Sequence, residues 1–435
     1  MSSAAWSYTQ GPTRSADGLA TKFDALCGGR DVESLAVGAG LCAVPISIAA
    51  SEAFLALALM ARLAAFARNR AAFRPPRVFW FWLVWSLVET AAWLQSSDRR
   101  AGGGEMRHLL LSAALFTLLP ALNRVGDKLR VWKGIFATAT LGSIALILTF
   151  LVRMARYRHE LAAGGDPALY LRTGGLLHNW MIYGTVEILV FAAMLEFRAV
   201  YPEESGWTKP VLAVHAMAIL LSLTRSLWFA AFLALGVHLV WWRSKWKWAL
   251  PLVPAAIFLL SPSPVRHRLA ETFQPDYSSN SERVQMWRVG LHIIHEQPIF
   301  GIGPGRIEPM YARFLQPGEP IPAYHGHLHN NALQLCAQFG VFVLCAAVIF
   351  VAVLVRDLAH ACKRAIDRES VFLRRSGLQG VIGFLVMGMM DYTYGHSLVL
   401  ILLAFTAISP LIKLSPISDQ LHPHGRPFVA GPADS

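Results

Sequence analysis

The sequence predicts an all-α, polytopic integral membrane protein, and three observations predict it. Hydrophobic residues fill 55% of the 435 positions and charged residues only 15%, where a soluble domain carries about a quarter charged residues. The apolar residues come in long runs broken by short polar stretches, and mean hydropathy is positive. The basic residues cluster in those short stretches, the pattern of loops that obey the positive-inside rule. The net charge of +12 is therefore read as membrane topology and not as a nucleic-acid surface.

Taken in order, residues 1–33 are a polar, Gly- and Ser-rich tail, with no cleavable signal segment expected. Leu35 to Ala67 is too long for one span of roughly 20 residues. Pro45 and Ser51-Glu52 interrupt it, so two helices are expected near 34–48 and 51–67, with one kinked helix as the alternative. Further spans are expected near 78–95, 108–122, 134–153, 180–196, 210–223, 225–242 and 248–260. A polar interval fills 261–331, and spans near 332–355, 376–391 and 396–412 precede a second tail at 413–435. The total is about 12 transmembrane helices, with one large loop between the ninth and tenth. No repeat of fixed period is evident.

Charge gives an independent orientation. With the N-terminus inside, the inner loops hold Arg68/Arg70/Arg74/Arg77, Arg124/Lys128/Arg130/Lys133, Arg243/Lys245/Lys247 and Arg356/Lys363/Arg364/Arg368/Arg374/Arg375. Every lysine (Lys22, Lys128, Lys133, Lys209, Lys245, Lys247, Lys363 and Lys413) then falls on the inner side. A shift of one span would destroy that sorting. The Lys/Arg bias sets topology, so 261–331 is placed outside and both termini inside. Trp80/Trp82/Trp85, Trp241/Trp242 and Trp246/Trp248 are read as aromatic belts at the headgroup level. Five cysteines, Cys27, Cys42, Cys336, Cys345 and Cys362, show no metal-type spacing and no disulfide framework.

The chemistry is concentrated at the outer ends. Arg225 opens an otherwise apolar span, on the surface where the positive-inside rule disfavours it. A charge so placed faces a cavity or a partner, or else snorkels to headgroups. Arg283, Trp287 and Arg288 lie on a helix whose apolar face is expected at Val284, Trp287, Leu291 and Ile294, starting at Ser281-Glu282. Arginine's fixed fork suits phosphate oxygens and keeps its charge when partly buried; a basic helix on anionic lipid is the alternative. Gly301, Gly303 and Gly305 after Pro298 lack both the spacing of a dinucleotide fingerprint and a Walker lysine. They are read as a turn whose backbone also faces a ligand or does not. His325, His327 and His329 carry no zinc-type partners, so one imidazole acting as a base is expected, with His329 beside Asn330 the best placed. Glu52, Glu89, Glu187 and Asp391 lie within or at the ends of spans, where they pair with arginines or line a cavity. His178-Asn179-Trp180 is placed at the outer end of another span.

Arg283-x-x-x-Trp287, Pro298-x-x-Gly301-x-Gly303-x-Gly305, and His327-Leu-His329-Asn330-Asn-Ala-Leu-Gln followed by Gly340 together resemble the O-antigen ligase and polymerase superfamily of bacterial envelope glycosyltransferases. Leu-Thr-Arg225-Ser-Leu-Trp and Arg172-Thr-Gly-Gly-Leu-Leu-His-Asn-Trp resemble it too. The resemblance implies a helical fold in the bacterial inner membrane with a periplasmic cavity. A glycan linked through pyrophosphate to undecaprenol would be transferred there to an acceptor sugar hydroxyl, without metal, cofactor or nucleotide sugar. It implies Arg225 and Arg283 on the pyrophosphate and His329 on the acceptor hydroxyl, making these the catalytic candidates. Arg288, Arg306, His327, Trp287 and Asn330 are the substrate-binding candidates. Ligation onto lipid A–core is placed ahead of polymerisation. A transporter of a lipid-linked sugar is the competing class, but it would show inverted repeats and a midplane site.

Overall fold

The computed structural model describes residues 32–67, 73, 75–122, 125–274 and 277–412. Both expected tails, apart from residues 32 and 33, lie outside the described residues, as do Cys27, Arg68, Arg70, Arg74 and Arg124. The chain is all-helical, with no strand among the described residues.

The helices of eight residues or more, in order, are α1 (Val32–Ala43), α2 (Ile48–Ala67), α3 (Val78–Gln95), α4 (Arg107–Leu118), α5 (Val125–Arg156), α6 (Trp180–Val200), α7 (Ser205–Leu221), α8 (Arg225–Trp241), α9 (Leu252–Leu260), α10 (Ser263–Ala270), α11 (Ser278–Glu296), α12 (Asn331–Phe339), α13 (Val341–Lys363), α14 (Arg368–Gly388) and α15 (Ser397–Ile408). Leu35–Ala67 is two helices, as expected, with the turn at Val44–Ser47 around Pro45. By length and composition four stretches can cross a membrane: Ile48–Ala67, Asp127–Arg156, Trp180–Val200 and Val341–Lys363. Apolar helices such as α1 and α8 are shorter.

Helix α6 is the axis. Nearly all of it is buried, and α5, α7, α8, α14 and α15 pack around it. Of the acids expected to pair with arginines or line a cavity, Glu89 and Glu187 pair with histidines, and so does Glu196. Glu89 lies 2.9 Å from His108, Glu187 2.6 Å from His215 and Glu196 2.7 Å from His238. Histidine is the cheaper buried partner, because the pair can share one proton instead of burying two obligatory charges. The tryptophans also divide: Trp80, Trp246 and Trp248 are exposed, but Trp82 and Trp85 are core residues. Trp85 stacks on Tyr394 and Trp82 packs against Phe116, so an aromatic belt is not their role.

The two ends of the bundle differ. At one end, Lys128 donates to the Ser409 carbonyl, Lys133 pairs with Glu204 and Arg368 with Glu203. At the other end lie the turns before α6, α8 and α12 and after α14, together with the polar interval. That interval folds on its own small core, in which Met286, Val289 and Ile293 of α11 pack with Ile307, Tyr311 and Phe314. This corrects the expected face of α11: Val284 and Leu291 are exposed, and the helix starts at Ser278, three residues before Ser281.

The expected span 332–355 is likewise two helices, broken at Gly340. Gly340 has φ 85° and ψ 178°, a conformation essentially restricted to glycine. A Cβ there would stand 1.9 Å from the Ile299 carbonyl oxygen. Segment 298–303 clasps this break: Val341 N–H donates to the Pro298 carbonyl (2.8 Å), Ile302 N–H to Ala337 (3.0 Å) and Gly303 N–H to Gln338 (2.9 Å). A Cβ on Gly301 would sit 2.4 Å from the Gln338 carbonyl carbon. The glycine run is thus a close-packing turn, in which Gly301 N–H donates to the Gln297 carbonyl and Gly303 N–H to α12. Gly340→Ala is expected to cost about 3 kcal/mol or more, read as a lowered thermal midpoint of the purified protein. Gly206→Ala, where a Cβ meets nothing within 4 Å, should leave the midpoint unchanged.

Candidate active site

Six segments deliver one charged cluster. Arg172 lies in the turn before α6, Arg225 is the first residue of α8, Arg268 is on α10 and Arg283 on α11. His329 precedes α12, and Asp391 lies in the turn after α14. Three of the approaches take a left-handed backbone without glycine: His178 (φ 58°), Leu223 (φ 52°) and His329 (φ 49°). For a branched residue such as leucine that conformation costs on the order of 1–3 kcal/mol and persists only where surrounding packing dictates it. Each of these residues turns the chain sharply into the helix that follows.

Asp391 is the junction. It is 1% exposed, yet it accepts from Ser226 Oγ at 2.6 Å and Arg283 Nη2 at 3.0 Å, and it lies 3.3 Å from His329 Nδ1. Burial alone would raise its pKa. The His329 hydrogen bond, the Arg283 charge and the Ser226 hydrogen bond outweigh burial and hold the carboxyl below its ordinary value. The His329 ring makes its hydrogen bond through Nδ1, which leaves Nε2 as the nitrogen for a ligand hydroxyl.

The arginines are unequally matched. Arg268, 1% exposed, binds Glu271 at 2.7 Å and the Tyr277 hydroxyl at 2.9 Å; the Tyr277 hydroxyl in turn donates to Asp166. Arg225 lies over the Tyr277 ring and reaches only the Glu271 carbonyl and Ser279 Oγ, both at 3.5 Å. Arg172 stacks on Trp180, 5.1 Å from the ring centre, and its buried Nε has no partner. Burial, and then the charges of Arg268, Arg283 and Arg225, bring the Arg172 guanidinium down to about 9. Among the described residues neither Arg172 nor Arg225 has a carboxylate partner, while Arg268 and Arg283 each have one. The cluster therefore carries excess positive charge. Arg172, Arg283 and His329, with Asn179, Trp180 and Tyr324, line a cavity of about 360 Å³.

The sequence-derived candidates divide accordingly. Arg225, Arg283 and His329 come together. His327 packs behind His329, with ring centres 4.3 Å apart. Its buried Nδ1 has no partner, and burial, followed by the neighbouring His329 charge, lowers the imidazole to about 3. His325 turns to the Pro322 carbonyl and Tyr311, so the three histidines do not converge. Arg288 is turned to Glu319 at 2.6 Å. Arg306 bonds Ser97. Asn330 caps α12 through Leu333 N–H and donates to the Met389 carbonyl. Trp287 is half-buried, with no partner for its indole N–H. Asp391 was expected to pair with an arginine or line a cavity, and it pairs with Arg283; Arg172 had no assigned role, and Arg268 and Ser226 were passed over. The usable signal was a charged residue at the mouth of a span, which Arg172 and Asp391 show; Arg268, in a polar loop, gives none.

A search among curated proteins gives no match. Residues 210–359 match the family model described as O-antigen ligase, a stretch that holds Arg225, Arg268, Arg283 and His329 and stops short of Asp391. Residues 210–359 thus carry a domain of the O-antigen ligase type, a family of membrane glycosyltransferases, and this match supports the resemblance to the O-antigen ligase superfamily.

Proposed function

We propose that this protein transfers a glycan from undecaprenyl pyrophosphate to a sugar hydroxyl of an acceptor, with lipid A–core ahead of a growing glycan. The reaction is placed at the periplasmic face of the inner membrane, with both termini cytoplasmic. The observation that carries the reading is the cluster of four guanidiniums, two of them without a carboxylate partner among the described residues; Arg172 and Arg283 of this cluster line a cavity together with Glu282 and the Asp391-oriented imidazole.

The geometry supports a direct displacement. The acceptor hydroxyl loses its proton to His329 Nε2, and its oxygen attacks the anomeric carbon as the bond to the pyrophosphate oxygen breaks, inverting that centre. Charge grows on the departing diphosphate, and Arg225, Arg283 and Arg172 are already in place to receive it. Such preorganised charge costs no reorganisation at the moment of reaction. The arginines supply the positive charge the leaving group needs, so the scheme calls on no metal. Asp391 sets the imidazole's tautomer and stabilises it once protonated. The shared Asp391 oxygen also fixes Arg283 relative to His329.

Arg225→Ala and Arg283→Ala are each expected to lower transfer by about 10²–10³-fold, and His329→Ala by about 10²–10⁴-fold. The assay supplies undecaprenyl-pyrophosphate glycan with lipid A–core or with a second lipid-linked glycan, using protein that still inserts. A single-addition product marks a ligase and a ladder a polymerase; normal transfer by all three variants rejects the scheme. Asp391→Asn keeps the shape but removes the charge, so kcat should fall with little change in donor KM.

His327 yields a pH test. Its folded value of about 3 lies below the ordinary histidine value of about 6.5. The unfolded chain therefore binds more protons between those values, and stability is lost as pH falls through that window. His327→Gln should show a smaller drop in thermal midpoint from pH 7 to pH 5 than the parent, and should keep transfer.

A further inference from the structure

Between α2, α4 and α15 lies a second cavity of about 730 Å³, within the range of roughly 300–1,000 Å³ typical of ligand pockets. Leu55 and Leu59 of α2, Leu111, Leu115 and Leu118 of α4, and Leu400 of α15 form its apolar length. Its other end is polar, with Glu52, Glu105, Arg107, His108, Tyr392 and Ser397. Glu52 is held by Ser397 at 2.8 Å, Glu105 by Gln338 at 2.6 Å, and His108 by Glu89 at 2.9 Å. The opposite side of α2 shows Phe54, Leu57, Met60 and Leu63 to the surroundings. Since α2 is long and apolar enough to cross a membrane, lipid chains are what the groove would meet.

We propose that this groove holds the acyl chain of a glycolipid acceptor, with its sugar head against Glu52, Glu105 and His108. The inference rests on the transfer reading above, because it supplies that reaction's second substrate. Two observations select the occupant. Glu52 and Glu105 at the polar end accept hydrogen bonds from sugar hydroxyls and outnumber Arg107, whose Nε is turned to the Gly104 carbonyl, so the groove suits a pyrophosphate donor less well than the arginine cavity does. And the polar end adjoins the catalytic layer: Tyr392 lines the groove, its ring centre is 5.5 Å from His327, and His327 is 4.3 Å from His329. A sugar at the Tyr392 wall is thereby on the acceptor side of the imidazole, and the arginines are on the donor side.

The test uses the full chain in phosphatidylcholine nanodiscs and a dodecyl glucoside carrying a diazirine in mid-chain, with labelled residues mapped by mass spectrometry. Label is expected on α4 and α15 around Leu111 and Leu400. Excess unlabelled dodecyl glucoside should remove it and farnesyl diphosphate should not. Leu111→Trp and Ala114→Phe, two independent ways of filling the groove, should each cut that label by about tenfold, equivalent to about 1.4 kcal/mol. Both should leave any label on outward-facing Phe54 and Leu57 unchanged. In the transfer assay both variants should raise the acceptor KM and leave the donor KM alone. Groove label that survives both substitutions, or that farnesyl diphosphate displaces, overturns the proposal. Arg283→Ala keeps the label if the groove is as described, so loss of the transfer reading and loss of the groove are read from separate measurements.

Discussion

One buried carboxylate holds the reactive end of this protein together. Asp391 comes from the turn after α14, yet its partners are Ser226 on α8, Arg283 on α11 and His329 before α12. An isolated carboxylate at 1% exposure would be neutralised rather than tolerated. It remains charged because a hydroxyl, a guanidinium and an imidazole reach it together, and each of the three comes from a different segment. Removing any one partner leaves the others with an under-compensated buried charge, which is far costlier than never having built the group. The same condition that keeps the aspartate ionised therefore specifies how the polar interval docks on the bundle.

Around that junction the balance of charge is deliberately uneven. Glu271 answers Arg268 and Asp391 answers Arg283, while Arg172 stacks on the face of Trp180 and has no carboxylate partner among the described residues. Helices α6, α8 and α12 all begin here, and helix N-termini carry partial positive charge. Arg225 as the first residue of α8 is thus placed where a cation is least welcome, with no carboxylate among the described residues to offset it. Self-repulsion of this kind is stable only because α10, the Tyr277 hydroxyl and the strained turns at Leu223 and His178 fix the side chains by packing. A polyanion in the cavity would relieve it. The positive excess is a structural cost, concentrated at Arg172 and Arg225, which have no carboxylate partner among the described residues.

The sequence shows the helices well and their ends poorly. The run at 78–95 coincides with α3, because a stretch dominated by apolar residues and bounded by Arg77 and Ser96 leaves little choice. The break at Gly340 is invisible to hydropathy, since apolar residues flank it on both sides; only the contact with the Ile299 carbonyl explains it. The face of α11 was misread for a related reason. Val284 and Leu291 have the spacing of a buried stripe, but Met286, Val289 and Ile293 face the small core and leave the first stripe outside. In the site, Arg225 and His329 were legible at the mouths of spans, and Arg283 as an arginine four residues before Trp287 on a helix of the polar interval. Arg288 and Arg306, in the same interval, are engaged elsewhere, because a residue's turn about its helix is set by packing and not by its type. The left-handed backbone at His178, Leu223 and His329 leaves no mark on sequence, because none of them is glycine.

The glycine clasp gives this uneven site its precision. Gln338, on the last turn of α12, holds Glu105 through its side chain and Gly303 through its carbonyl. Gly303 and Gly305 in turn admit close contact with Ser96 and Ala101. The helix that begins just after His329 is therefore tied at its far end to the loop before α4 and to the segment after α11. Neither tie involves a charge that a substrate would neutralise. The position of the imidazole relative to the groove beside α4 is consequently set by backbone contacts of fixed length, while the arginines around it are free of that duty. A site built this way can accept a large anionic group and release it without moving His329, the residue proposed to handle the proton.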